Sequence, residues 1–144
     1  MNDTTHSSAI TRRLHWPLVT GLAALALIRP LFSIVGLTDL LGKPVTPIAL
    51  TIAISLAWVL IVGLSRVASP ILTLVAAGLV YALMAILLSA VLSPILTGEL
   101  QGPLAMPLAI VPMLLTNALW GFLAGVLAQL VQRTRGALSD DLSQ

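Results

Sequence analysis

Four long apolar stretches, at 16–37, 45–64, 71–96 and 104–131, take up most of this chain. Each is close to or above the ~20 residues a helix needs to cross a hydrocarbon core. In lipid every backbone N–H and C=O must be satisfied within the protein, which leaves helices or closed barrels as spanning structures. A barrel strand alternates apolar and polar residues with period two, and these stretches show no such alternation. The breaks between them are short and rich in turn formers: 38–44 with Gly42 and Pro44, 65–70, and 97–103 with Gly98, Gly102 and Pro103. Connections this short make sequential helices antiparallel neighbours. The expected fold is an all-α membrane protein, an antiparallel bundle of four transmembrane helices forming one integral membrane domain over 1–144. Polar, loosely ordered tails are expected at 1–8 and 136–144. Composition agrees: 58% of residues are hydrophobic and only 8% are charged, so most of the surface must face lipid rather than water.

The few charges orient the bundle. Arg12 and Arg13 precede the first span, Arg66 lies between the second and third, and Arg133 and Arg135 follow the fourth. The other side holds Lys43 beside Asp39, with Glu99 in the remaining loop. Arginine and lysine near span ends stay on the cytoplasmic side, so both termini are expected in the cytoplasm of a bacterial-type plasma membrane. The pI near 10.0 is therefore a mark of topology and not of a nucleic-acid partner, since a net charge of +2 rests on very few ions. An alternative reading takes Arg12-Arg13, the following apolar run and Ala24-Leu25-Ala26 as a cleavable signal peptide. The apolar character resumes after Pro30 through Leu37, which suits a span better than a mature N-terminus.

Arg29 is the most informative single residue. It stands about 13 residues into the first span, roughly 20 Å from the cytoplasmic edge, where a charge is costly unless something compensates it. One account has its stem snorkelling to the outer headgroups, to Asp39 or to Glu99, while Pro30 kinks the helix and frees carbonyls for it. The other has it facing a polar interior and binding an anionic or hydrogen-bonding group. The helical rise places Thr51 near 20 Å, Asn117 near 21 Å, Tyr81 near 15 Å and Ser55 roughly 14 Å from the same edge. The candidate polar site is therefore Arg29, Asn117, Thr51 and Ser55. For Asn117 the structural alternative is an interhelical hydrogen bond, and for Thr51, Ser55 and Ser89 a bond to their own backbone.

Packing faces follow from small residues at helical spacing. Gly121 and Gly125 form a GxxxG pair extended by Asn117 and Ala128, and Gly78, Ala82, Ala85 and Ser89 line one face of the third span. The pattern suits close approach either inside the bundle or across a homo-oligomer. Pro107 and Pro112 predict a kink or break in the fourth span, with a re-entrant segment over 94–111 as the alternative. At an offset of about 60 residues, Trp58 aligns with Trp120, Gly63 with Gly125 and Ser55 with Asn117, the pattern of two pseudo-repeated hairpins.

Chemistry is constrained mainly by what the spans lack. They hold no Asp, Glu or His, and the chain has no Cys, which leaves no carrier for carboxylate-coupled transport, metal or haem ligation, or an activated nucleophile. No catalytic, cofactor-binding or metal site is expected, and the chain is not expected to be an enzyme. The first functional reading is a non-enzymatic packing or accessory protein in the lipid bilayer, associating with itself or with another membrane protein. The alternative is a small-solute or anion transporter or channel with Arg29 lining the route, its ligand not specified by any motif.

Overall fold

The computed structural model describes residues 14–42 and 44–141, without the side chains of 39, 139, 140 and 141. The 1–8 tail, Arg12, Arg13, Lys43 and residues 142–144 lie outside the described residues. Six α-helices follow one another: α1 (Trp16–Ala26), α2 (Ile28–Ile34), α3 (Leu37–Leu41), α4 (Val45–Leu64), α5 (Pro70–Thr97) and α6 (Ile110–Asp141), the last preceded by a 3-10 turn at Pro107–Ala109. No strand occurs among the described residues. Four helical segments are long and apolar enough to cross a membrane: Trp16–Ile34, Val45–Leu64, Pro70–Thr97 and Pro107–Leu138.

The boundaries differ from expectation where proline and glycine act. The first span is two helices because Pro30 has no N–H for the Ala26 carbonyl and its ring crowds that group, and the helix interrupts at Leu27. It stops at Ile34 rather than Leu37, since Gly36 adopts φ 77° and starts the separate α3. No re-entrant helix forms over 94–111. Instead α5 runs through Pro94 to Thr97 and ends on Gly98, whose N–H donates to the Pro94 carbonyl at 3.0 Å. Pro107 begins the 3-10 turn and Pro112 is the third residue of α6, so both occupy the opening turns of the span rather than its interior. At the far end α6 continues to Asp141, and much of the expected 136–144 tail is helical.

Helix α5 is the centre of the packing, with α6 along one side and α1 along another, and α6 packs in turn on α4. Glycine sets the closest approaches. A Cβ added at Gly125 would lie 2.6 Å from Ile71 Cα, and one at Gly63 would lie 2.9 Å from Val131 Cγ1. Gly121 meets the Leu74 carbonyl and Gly78 the Asn117 carbonyl in the same manner, and Ala82 is fully buried. The small-residue faces of α5 and α6 are thus spent on each other, inside the chain. Such contacts hold helices together by dispersion between backbones, where apolar area alone gives no preference over lipid.

The core gathers at one end. Val19, Leu22 and Ala26 of α1, Trp58 and Val62 of α4, Leu74 and Ala77 of α5, and Ala124 and Ala128 of α6 form a single buried cluster. All lie toward the α4–α5 connection that carries Arg66, here called the basic end. The proposed hairpin halves do not pack alike. Helices α5 and α6 pack intimately, whereas α1 and α4 touch lightly, and Trp58 is 3% exposed while its counterpart Trp120 is 48% exposed. Outward, Ile52, Leu56, Leu60, Leu83, Leu87, Leu115, Leu119 and Leu127 are all exposed, an apolar belt that suits lipid.

Candidate functional site

The break at Leu27 and the proline after it set Arg29 at the start of α2, just past the last residue of the packed core on the first span. There it lines a cavity of about 230 Å³ with Thr51 and Ser55 of α4, Tyr81 of α5, and Thr116 and Asn117 of α6. Ala26, Ile54, Trp58 and Trp120 complete the wall. The four candidate residues, Arg29, Asn117 and Thr51 taken by depth and Ser55 by its alignment with Asn117, border one space. Thr51 and Ser55 are one helical turn apart on one face, so the turn of difference in their depths is absorbed by the height of the cavity. Thr116 and the two tryptophans were not singled out as lining residues. The alignment of Trp58 with Trp120 was the available signal, but an indole in an apolar span reads as packing.

Most polar groups here are already engaged. Thr51 Oγ1 donates to the Pro47 carbonyl at 2.8 Å and Ser55 Oγ to the Thr51 carbonyl at 2.7 Å, each within α4. Trp120 Nε1 donates to Ser55 Oγ at 2.9 Å, linking α6 to α4. Asn117 Nδ2 donates to the Met113 carbonyl at 2.8 Å, so it bonds its own helix and not a neighbouring one as expected. Trp58 Nε1 donates to the Leu22 carbonyl at 3.0 Å and closes the cavity floor above the core. The side chains of Arg29, Tyr81 and Thr116 are the exceptions: none makes a hydrogen bond or ion pair among the described residues, and the exposed Arg29 does not pair with Glu99. The Asp39 side chain, its other expected partner, lies outside the described residues.

A second cavity of about 380 Å³ adjoins the first, sharing Arg29 and Tyr81. Ser33, Thr38, Pro47 and Ser89 line it, all farther from the basic end. Ser89 Oγ reaches the Gln101 carbonyl at 3.2 Å, which ties this region to the α5–α6 connection. The two spaces form a partly open tract from the Glu99 end down to Trp58, and there the fully buried Val19, Val62 and Leu74 begin. Among the described residues no carboxylate lines either space, and no group of three metal-ligating side chains occurs. The cavity thus combines mostly apolar walls, a few fixed acceptors and donors, and one guanidinium without a described partner, a combination chemically compatible with a small anion that has an apolar body. Gly78, Ala82, Gly121 and Gly125 contribute no group to it, having their place in the α5–α6 contact.

No family model, curated protein or solved structure matches this chain.

Proposed function

We propose that this chain crosses the bilayer four times as an antiparallel bundle, with both termini in the cytoplasm of a bacterial-type plasma membrane. In that setting it acts as a non-enzymatic binding or transport protein that admits a small organic anion to the Arg29 cavity from the side of Glu99. The orientation rests on the arginines. The Arg135 guanidinium bonds the carbonyls of Gly63 and Leu64, so the cations of α6 and of the α4–α5 connection share one end. The antiparallel course of α5 and α6 is supported by the pairing of Gly78 with Asn117, Leu74 with Gly121 and Ile71 with Gly125.

One observation carries the binding reading: Arg29 borders both cavities without a partner among the described residues. An ionisable group at membrane depth normally pairs with another protein group, and one that does not is a ligand site by default. The accessory reading loses its main support because the small-residue faces are filled within the chain. It retains an apolar groove of about 640 Å³ between α4 and α6, lined by Ile52, Leu56, Val59, Leu123 and Leu127, which lipid chains would fill equally well.

The test is titration of the purified chain in phosphatidylcholine vesicles with acetate, benzoate and chloride, read by tryptophan fluorescence and by vesicle flux. Trp58 and Trp120 border the cavity and report its occupancy. Saturable binding of a carboxylate is expected, weakened by about 10- to 100-fold in Arg29→Leu and partly restored in Arg29→Lys, which lacks the planar fork. The Leu variant should unfold at the wild-type temperature or above, because it loses a charge that has no partner among the described residues. A folded Leu variant with unchanged binding and flux would show that Arg29 only snorkels.

A further inference from the structure

A different site lies at the basic end and does not depend on what Arg29 does. Helix α4 ends at Leu64, leaving its last carbonyls without helical donors. Two side chains of α6 supply them. Gln132 Nε2 donates to the carbonyls of Val62 at 3.0 Å and Ser65 at 2.9 Å, and Arg135 Nη1 donates to that of Leu64 at 2.9 Å. These bonds hold Gln132 and Arg135 in place at the rim of a pocket of about 360 Å³, lined by Ser65, Arg66, Gln132, Arg135 and Gly136. Arg66, opposite, is exposed and makes no hydrogen bond or ion pair among the described residues. It also borders a neighbouring pocket of about 340 Å³ with His15, Pro17, Leu18, Ser65 and Val67. No carboxylate lines either space among the described residues, which do not include the side chains of 140 and 141.

Two guanidinium groups on one pocket repel each other unless an anion comes between them. Arg135 cannot leave without uncapping α4, and nothing among the described residues holds Arg66. We propose that this pocket binds a phosphate ester, with Arg135 as the anchored cation and Arg66 as the free one that closes on the ligand. A phosphate presents its non-bridging oxygens tetrahedrally, so that two guanidinium forks approaching from different sides can each bond it. Arg66 lies just beyond the ~30 Å length of α4, at the level where a bilayer presents its headgroups, and basic pockets between helices at this level take anionic lipids. The same chemistry would accept free phosphate, and the two sources separate by experiment.

The full chain is purified in a zwitterionic detergent and its thermal unfolding followed with phosphatidylglycerol, with phosphatidylcholine, and with inorganic phosphate against chloride at equal ionic strength. A rise in Tm with phosphatidylglycerol but not phosphatidylcholine identifies a headgroup, and a rise with inorganic phosphate alone identifies the free ion. Either supports the proposal when Arg66→Gln keeps the baseline Tm and weakens the ligand by about fivefold, the contribution of one arginine near a lipid surface. Arg135→Gln is the poorer probe, since it also removes the α4 cap. Native mass spectrometry of the wild type needs no variant and should find phosphatidylglycerol retained over phosphatidylcholine if the source is lipid. No rise in any arm, or an equal ligand effect in Arg66→Gln, would overturn the proposal.

Discussion

The two halves of this bundle are built from the same apolar helices, yet just inside the basic end they interlock around a buried core, whereas toward the Glu99 end they enclose polar space. Toward the basic end, Gly125 lies on Ile71, Gly121 on Leu74 and Gly63 on Val131, and Val19, Val62 and Leu74 are fully buried. Toward the Glu99 end no α6 glycine precedes Gly121, and that stretch instead holds Pro112, Thr116 and Asn117. The first span is also interrupted there at Leu27, and cavities occupy the space beside Arg29. The difference does not lie in hydropathy, which is high along every span. Helices surrounded by lipid approach according to the size of the residues between them, and the core stops where the small residues stop facing one another.

The largest effect should come from enlarging the tight end. Gly121→Leu combined with Gly125→Leu drives side chains into the Leu74 carbonyl and the Ile71 backbone, and no folded protein is expected by size-exclusion chromatography. Gly125→Ala alone should cost about 1–3 kcal/mol, the usual range for overpacking. Gly21→Ala, with nothing within 4 Å of the added carbon, should be neutral or stabilise by up to ~1 kcal/mol in the same thermal unfolding measurement. Equal tolerance at Gly21 and Gly125 would erase the contrast between exposed and interlocked glycines.

Accessibility offers a second test, made simple by the absence of native cysteine. Ser33→Cys, exposed beside the second cavity, should react with a membrane-impermeant maleimide added from the Glu99 side. Ala77→Cys, fully buried in the core, should stay unlabelled in the folded protein. Similar rates at both would mean that the core is as open as the tract, and labelling of Ser33→Cys only from the Arg66 side would reverse the proposed orientation. A modest effect is expected at the boundary between the two regions. Trp58→Phe removes the N–H that reaches the Leu22 carbonyl while keeping most of the ring's packing, and should cost about 0.5–1.5 kcal/mol in thermal unfolding. A larger loss would make Trp58 part of the interlocked core, and none at all would make it a wall of the cavity only.

Much of this was legible along the chain. Four apolar helices, their limits at Gly98, Pro70 and Ser65, and the similar depth of Arg29, Thr51 and Asn117, with Ser55 about a turn away, follow from hydropathy, proline and glycine chemistry and a fixed helical rise. Those properties are local, so sequence alone determines them. The break at Leu27 was foreseeable from Pro30, although its exact place was not. Only the tertiary structure decided which faces meet. It turned the glycines of α5 and α6 toward each other rather than toward a second copy, sent the Asn117 amide to its own helix, and left Arg29 at a cavity wall with no described partner. The physical reason is that a helix apolar all round carries little record of its own rotation, because lipid and protein interior offer its side chains nearly the same solvent. Rotation is then settled by contacts between helices far apart in sequence, and those exist only once the bundle has assembled.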